Sequence, residues 1–465
     1  MPIHLCVNTQ TPLVRFSPGY KPGDGSTGPP SLSDLVEERD YQFTPGGVTR
    51  MVFPLLKRMV DDGVLKCPYW VTLNPAGPER LVADGITFSH IRLQDRVMKG
   101  YGHIKEDMWK TLHGIGKGAM PHGWPLWEKE YADYTYYNRL SSERLLALDK
   151  ELDFDVFYIH DFQQLPVGHM LGSLKPKVFR WHIPFDDTII PPDWKPFLLT
   201  YFKSYDLILV SCRKYLDALR KFGFMGHVHY IYPYIDQGVY RRSKRSELEA
   251  FCAKFGIREQ DRVILVVARM DPMKGQDLAI RAFAKVARSV PDLKLVLAGN
   301  GSFSSSSHGI GLSKGAHWLG KLQRLARRLH LEDRVVFTGH INHLELQAAY
   351  ERCEMTMLPS WLEGFGLVVI ESWLYKKPAV VSSKAGVADI IVDGENGQLA
   401  DPGDIDGFAR RISALLKDEK LESRLAESGL ASSRKCVLEE GLKQESEMLQ
   451  DILSGQKRKG DGHAI

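Results

Sequence analysis

The sequence predicts an α/β protein built from two Rossmann-like, doubly wound domains, and three observations carry that prediction. Short apolar runs alternate with amphipathic stretches at helical spacing along most of the chain, the pattern of a parallel sheet covered on both faces. The chain has 465 residues, too many for one ordinary core. Several glycine-containing loops fall where a strand hands over to a helix, the edge at which open α/β sheets bind ligands.

In the first half the clearest strands are residues 3–7, 69–73, 156–160, 177–182 and 206–210. Apolar periodicity predicts helices over 47–60 and 127–148. The second half reads more cleanly. Strands at 262–270, 294–299, 334–339, 355–358 and 379–382 alternate with helices at 277–289, 317–330, 344–353 and 367–375. The junction falls near 234–242, giving an N-terminal domain over 1–236 and a C-terminal domain over 237–437. A helix at 438–453 is expected to cross back to the first domain, with 454–465 as a flexible tail. Residues 17–45, rich in Gly, Pro and Ser, and 299–315, with four consecutive serines, read either as connectors or as substrate-ordered lids.

Composition excludes several classes. The chain is 43% hydrophobic and 25% charged, as in globular proteins. A formal net charge of +4 gives little reason to propose nucleic-acid binding. A basic run, Lys457-Arg458-Lys459, lies in the tail. No stretch approaches the ~20 apolar residues that span a bilayer, and the start reads as a strand rather than a signal peptide. A cytoplasmic location is the expectation. Six scattered cysteines, Cys6, Cys67, Cys212, Cys252, Cys353 and Cys436, form no Cys-x-x-Cys pair and read as free buried thiols. His227 and His229 are neighbours on one strand, but no histidine belongs to a metal-ligand set.

The most informative segment is Pro359-Ser-Trp-Leu-Glu363-Gly364-Phe365-Gly366-Leu367-Val368-Val-Ile-Glu371. It runs from a buried strand through a glycine loop into a helix. A helix N-terminus offers backbone N–H groups to an anion, and Gly364 and Gly366 let backbone approach a phosphate or sugar. Glu371, about one turn into the helix, can accept from a pair of hydroxyls such as a ribose. Alone, such a segment is more simply a turn flanked by solvated glutamates; the matching signals elsewhere outweigh that reading. Ala268-Arg269-Met-Asp-Pro-Met-Lys274-Gly275 follows the first strand of the second domain. Arg269 and Lys274 can converge on a diphosphate, the first as a planar fork and the second as a point charge. In the first domain, Thr44-Pro-Gly46-Gly47-Val-Thr-Arg50 opens a helix with a Gly-Gly pair. His160-Asp161 and Arg180-Trp-His182-Ile-Pro-Phe-Asp186 each close a strand, so Asp161 and His182 can meet at the sheet's carboxyl edge.

Together these motifs resemble the retaining glycosyltransferases of GT-B architecture, two facing Rossmann-like domains with a cleft between them. Tyr101-Gly-His-Ile-Lys-Glu-Asp-Met-Trp109-Lys-Thr-Leu-His113, residues 131–138, His160-Asp161-Phe-Gln-Gln-Leu-Pro166 and His182-Ile-Pro-Phe185 occur in order. This order is similar to the trehalose-6-phosphate synthase family, which joins glucose from a nucleotide donor to glucose 6-phosphate. The resemblance implies that Arg269 and Lys274 hold the donor diphosphate and Glu371 the ribose. Glu363 would contact the donor sugar, backbone from Gly364 through Phe365, Gly366 and Leu367 to Val368 would line sugar and phosphate, and Gly46 and Gly47 would close over the donor. His182 would hydrogen-bond the transferred sugar, Asp161 would lie near the acceptor hydroxyl, and Tyr101 and Trp109 would sit in the acceptor pocket.

The implied reaction needs no cofactor and no metal, because two cations stabilise the leaving diphosphate of a UDP-, ADP- or GDP-glucose. The implied partners are that donor and a sugar or sugar-phosphate acceptor, with a homo-oligomer possible. The chain departs from the family in three places. The glycine loop reads Glu363-Gly-Phe-Gly-Leu where the family has Asp-Gly-Met-Asn-Leu; Asn8-Thr-Gln-Thr-Pro12 lacks the arginine of Asn-Arg-Leu-Pro; and the turn Ala298-Gly-Asn-Gly301 is followed by serines rather than an arginine. Three readings stay open: a trehalose-6-phosphate synthase, a glycosyltransferase with a non-phosphorylated acceptor such as glucose or a glycan, and a non-catalytic nucleotide-sugar-binding regulator.

Overall fold

A computed structural model describes residues 2–17, 19–20, 28–44, 46–115, 129–172, 175–299 and 310–455. Internal contacts divide the chain into two units, Met1–Pro233 with Leu438–Ile465, and Tyr234–Val437.

The N-terminal unit is built on an eight-stranded sheet. Its strands are β1 (Leu5–Thr9), β4 (Tyr69–Leu73), β5 (Arg80–Ala83), β6 (Ile86–Ile91), β7 (Val156–His160), β8 (Lys177–Arg180), β9 (Leu207–Val210) and β10 (Val228–Tyr230). A separate antiparallel ribbon joins β2 (Val14–Phe16) to β3 (Tyr41–Phe43). The spatial order is β10-β9-β8-β7-β1-β4-β6-β5, parallel except at β5. From β1 the chain winds to one edge and then returns to lay β7 against the other side of β1, so the winding reverses between β1 and β7. The carboxyl ends of two such strands leave a crevice that no crossover covers. All five residues of β7 are buried, as expected for a strand with helices on both faces. The unit's helices are α1 (Gly47–Asp61), α2 (Asp95–Leu112), α3 (Tyr131–Leu152), α4 (Val167–Leu171), α5 (Lys195–Phe202) and α6 (Arg213–Lys221).

The C-terminal unit holds a six-stranded, wholly parallel sheet in the order β13-β12-β11-β14-β15-β16. Its strands are β11 (Arg262–Val267), β12 (Leu293–Ala298), β13 (Val335–Gly339), β14 (Met355–Leu358), β15 (Ala379–Ser382) and β16 (Gln398–Ala400). The winding reverses here between β11 and β14, with Ile264 opposite Met355 and Leu265 opposite Thr356. Covering helices are α7 (Arg245–Phe255), α8 (Gln276–Ala287), α9 (Ile310–Arg328), α10 (His343–Arg352), α11 (Leu367–Leu374), α12 (Ile405–Lys417) and α13 (Glu419–Ser433). The core beneath them is aliphatic, from Ile264 and Val266 through Leu278, Phe283 and Leu295 to Phe408 and Ile412.

The last helix, α14 (Leu438–Leu453), belongs to the N-terminal unit and packs on α1. It contributes Glu445, fully buried, which pairs with the buried guanidinium of Arg180 at the end of β8. Tyr158 donates to the other Glu445 oxygen at 2.8 Å, and Arg180 also donates to Tyr158 Oη at 3.2 Å and to the Ile231 carbonyl at 3.2 Å. Removing one partner of a buried pair of this kind costs about 3–5 kcal/mol.

Several boundaries differ from the sequence expectation. The first strand is 5–9 rather than 3–7, and 262–270 ends as a strand at Val267, which leaves Arg269 on the following loop. The helix expected at 127–148 starts at Tyr131 and runs to Leu152, where Asp153 turns left-handed at φ 53°. The helix expected at 317–330 starts at Ile310 and ends at Arg328, with His330 at φ 55° closing the turn. Part of 17–45 is ordinary structure, since β3 pairs with β2 and Leu32–Asp34 forms a 3₁₀ turn. Residues 18, 21–27, 45 and 300–309, and with them the rest of both lid candidates, lie outside the described residues, as does most of the tail, 456–465. None of the six cysteines forms a disulfide; Cys6, Cys212, Cys353 and Cys436 are buried, but Cys67 is exposed and Cys252 half-buried.

Candidate functional site

In the C-terminal unit the loops leaving β11 and β14 meet at the winding reversal. After β11 the chain makes a 3₁₀ turn at Pro272–Lys274, capped by Asp271, whose Oδ1 accepts from the Met273 amide at 2.9 Å. Gly275 then adopts φ 66°, and a Cβ there would lie 2.1 Å from the Pro359 carbonyl oxygen. Only glycine permits that approach. The Trp361 amide donates to the Met273 carbonyl at 2.9 Å, which locks the two loops together. Gln276 Nε2 donates to the Arg269 carbonyl at 2.6 Å and holds the first loop from behind.

This register brings Lys274 Nζ to 2.6 Å from Glu363 Oε2, with both side chains 17% exposed. Ser360 Oγ donates to the same oxygen at 3.2 Å. Burial opposes the charge of Glu363, yet Lys274, Arg269 and Ser360 together hold its carboxyl below the usual range. Arg269, Lys274 and Glu363 therefore form one electrostatic cluster. Gly366 (φ 108°) caps α11; a Cβ there would meet Leu358 Cδ2 at 2.6 Å. Gly364 and Phe365 are buried, and the Phe365 carbonyl accepts from Val387 at 2.8 Å, which ties the glycine loop to the segment after β15. The amides of Leu367 and Val368, at the first turn of α11, have no acceptor among the described residues. Unpaired amides at a helix N-terminus favour a negatively charged group.

Glu371 is the fifth residue of α11 and 6% exposed. Its Oε1 accepts from Tyr240 Oη at 2.7 Å and its Oε2 from Tyr350 Oη at 2.6 Å. Sequence reasoning missed both tyrosines. Tyr350 lies on the buried face of α10 and Tyr240 follows a 3₁₀ turn, and no local pattern links either to Glu371. Ser360 stood inside the quoted motif, three residues before its partner.

In the N-terminal unit the relevant groups also stand at strand carboxyl ends. His160 ends β7, and Asp161 follows at φ 68°, ψ 164°. Non-glycine residues there store about 1–3 kcal/mol of strain and cluster at functional sites. The Asp161 amide donates to the Arg180 carbonyl at 2.7 Å, and its carboxylate accepts from the Phe162 and His182 amides. Burial outweighs those amides and pushes the Asp161 carboxyl up to about 7. His182 lies two residues beyond β8, with Nε2 2.9 Å from His160 Nδ1. Burial, then the charge of Arg180, holds His160 well below the usual imidazole range; burial, then His160 and Arg180, does the same to His182. Asp161 and His182 are thus brought together, as expected.

Gly46 and Gly47 open α1 without a side-chain cap. Gly46 is extended, and a Cβ on either residue would meet nothing closer than 3.6 Å. The fold does not require glycine there, in contrast to Gly275 and Gly366.

Tyr101, expected in the acceptor pocket, is 1% exposed and packs against Tyr134 and Tyr137. Its hydroxyl is buried without a partner among the described residues. Trp109, two turns along α2, is half-buried on the same core, with its ring 4.2 Å from that of His113. Between them Lys105 Nζ sits 5.9 Å from the Tyr101 ring centre. Among the described residues no group of histidine, cysteine or acidic side chains has metal-binding geometry. No described helix is long and apolar enough to cross a membrane.

Residues 249–431 match the family described as "Glycosyl transferases group 1". A D-inositol 3-phosphate glycosyltransferase of Catenulispora acidiphila is 34% identical over 197 residues, 41% of this chain and 43% of that protein. An N-acetyl-alpha-D-glucosaminyl L-malate synthase of Bacillus anthracis is 28% identical over 197 residues, 42% of this chain and 46% of that protein. The matched stretch thus spans somewhat under half the length of these relatives. Among solved structures, an α,α-trehalose 6-phosphate synthase from Burkholderia multivorans superposes with a TM-score of 0.76 at 18% identity, covering 100% of both chains. The fold is of the GT-B type.

Proposed function

We propose that this protein is a retaining glycosyltransferase that moves a glucosyl group from a nucleotide-sugar donor to a sugar acceptor, with glucose 6-phosphate as acceptor and trehalose 6-phosphate as product. The observation that carries the donor half is the cluster of Arg269, Lys274 and Glu363 beside the unpaired amides of Leu367 and Val368, at the winding reversal of the C-terminal sheet. Two cations and a helix N-terminus suit a diphosphate whose negative charge grows as the glycosidic bond breaks. Glu371, with both oxygens oriented by tyrosines, is suited to the ribose hydroxyls. By the same reading His182 hydrogen-bonds the transferred sugar, Asp161 binds near the acceptor hydroxyl, and Gly46 and Gly47 approach the donor. Trp109 contributes to the acceptor side.

The chemistry is transfer with retention. A diphosphate oxygen takes the acceptor proton as the acceptor attacks the face the leaving group departs from, and the protein acts through positioning and charge stabilisation. No cofactor enters this scheme.

A second reading replaces glucose 6-phosphate with a non-phosphorylated acceptor. It is favoured by the missing arginines in Asn8-Thr-Gln-Thr-Pro12 and after Ala298-Gly-Asn-Gly301.

The test is a product assay by mass detection, pairing UDP-, ADP- and GDP-glucose with glucose 6-phosphate and with glucose. A phosphorylated disaccharide supports the first acceptor, and an unphosphorylated one moves the protein to the second. Nucleotide binding with neither transfer nor donor hydrolysis removes the enzymatic reading and leaves a regulator.

A further inference from the structure

We infer that His160 is a positioning residue that fixes the tautomer of His182, so that His182 presents a protonated Nδ1, a hydrogen-bond donor, beyond the carboxyl end of β8. The relationship is direct: His160 Nδ1 and His182 Nε2 are 2.9 Å apart, and the rings are nearly parallel, 11° between planes with centres 5.2 Å apart. Two nitrogens at that separation share one proton. Burial and the Arg180 charge disfavour an imidazolium at His160, and burial, His160 and Arg180 do so at His182.

Two arrangements follow. In one, His160 donates from Nδ1, keeps a lone pair on Nε2, and leaves the His182 proton on Nδ1. In the other, His182 donates from Nε2, and His160 must carry its own proton on Nε2. The surroundings of His160 Nε2 decide between them. His160 is 1% exposed, and Nε2 has no hydrogen-bond partner among the described residues. The second arrangement would bury an N–H with no acceptor in the field of a guanidinium. The first places a lone pair there, which that positive charge favours. Arg180 cannot move away, because Glu445, Tyr158 and the Ile231 carbonyl hold it. Tyr158 also packs against His160, with ring centres 4.3 Å apart and planes tilted by 41°. Helix α14, through Glu445, thereby anchors the charge that sets the proton two strand ends away.

The outcome is a half-buried His182 whose Nδ1–H has no acceptor among the described residues. It is a fixed donor suited to a hydroxyl or other neutral oxygen acceptor. That use rests on the glycosyltransferase reading; the tautomer does not.

The test is NMR on the full chain labelled with [13C,15N]histidine, reading the ring nitrogens and Cδ2 of His182, assigned by its loss in His182→Asn. The expected wild-type spectrum at neutral pH shows Nδ1 protonated and Nε2 unprotonated. In His160→Leu the proton should shift to Nε2, the form an unconstrained histidine prefers. In His160→Asn, whose amide can donate from near the Nδ1 position, the Nδ1–H form should return. A wild-type His182 protonated on Nε2, or an imidazolium, overturns the inference outright, whether or not His160→Leu folds. An unchanged tautomer in a folded His160→Leu removes the role of His160. Failure to detect sugar transfer would count against the proposed function and leave this result standing.

Discussion

Tyr240 Oη lies 2.7 Å from Glu371 Oε1, while Tyr350 holds Oε2 at 2.6 Å, so the carboxylate is fixed before any ligand reaches it. Hydrogen bonds to a charged group contribute about 1.5–3 kcal/mol. Glu371→Gln keeps the shape and removes the charge. UDP, ADP or GDP, whichever binds, should then bind at least tenfold more weakly by calorimetry, with Tyr350→Phe intermediate. Unchanged affinity in Glu371→Gln would exclude Glu371 from the nucleotide site.

Lys274 and Arg269 should separate in their effects on stability. Lys274→Ala removes the direct partner of a largely buried Glu363 and should cost about 1–3 kcal/mol as well as turnover. Arg269→Ala should depress turnover about a hundredfold or more with a smaller change in melting temperature. Lys274→Ala/Glu363→Ala should recover stability without recovering turnover. Full turnover in both single alanine variants would remove the donor-site assignment.

Asp161 predicts a pH signature. Its carboxyl is raised from 3.8 to about 7 in the folded chain, so between those values the folded state binds the extra proton. Stability from this group therefore falls as pH rises through about 7, and the ionised form is penalised above it. Asp161→Asn should raise the melting temperature at pH 8, by an amount corresponding to at most about 4 kcal/mol, and much less at pH 4. A gain equal at both pH values would contradict the shift.

The glycines divide into two kinds. Gly275→Ala forces a Cβ against the Pro359 carbonyl at a positive φ and should destabilise by more than about 1 kcal/mol. Gly47→Ala meets open space and should leave thermal stability unchanged while lowering donor affinity. Equal melting temperatures for wild type and Gly275→Ala would show that the two loops are not locked as described.

The α/β class, most of the strands and the residues of the Arg269, Lys274 and Glu363 cluster were legible in the sequence. Periodicity reports burial on each element directly, and Arg269, Lys274 and Glu363 stand at strand ends that the alternating pattern already marks. Strands β2, β3, β5, β6 and β16 were not; for the three-residue β2, β3 and β16 the reason is that so short a run gives no measurable period.

What the sequence determined by itself was which residue types stand beyond the carboxyl ends of the strands. What only the tertiary structure decided was which of them touch. Tyr240 and Tyr350 reach Glu371 from positions 131 and 21 residues away, and Glu445 reaches Arg180 across 265. The reason is physical: strand order is set by how the helices pack over the whole sheet, a many-body outcome with no local sequence signature. That order reverses the winding between β11 and β14 and between β1 and β7, and lays β7 beside β8. It thereby selects the loops that meet, and pairs one imidazole with another.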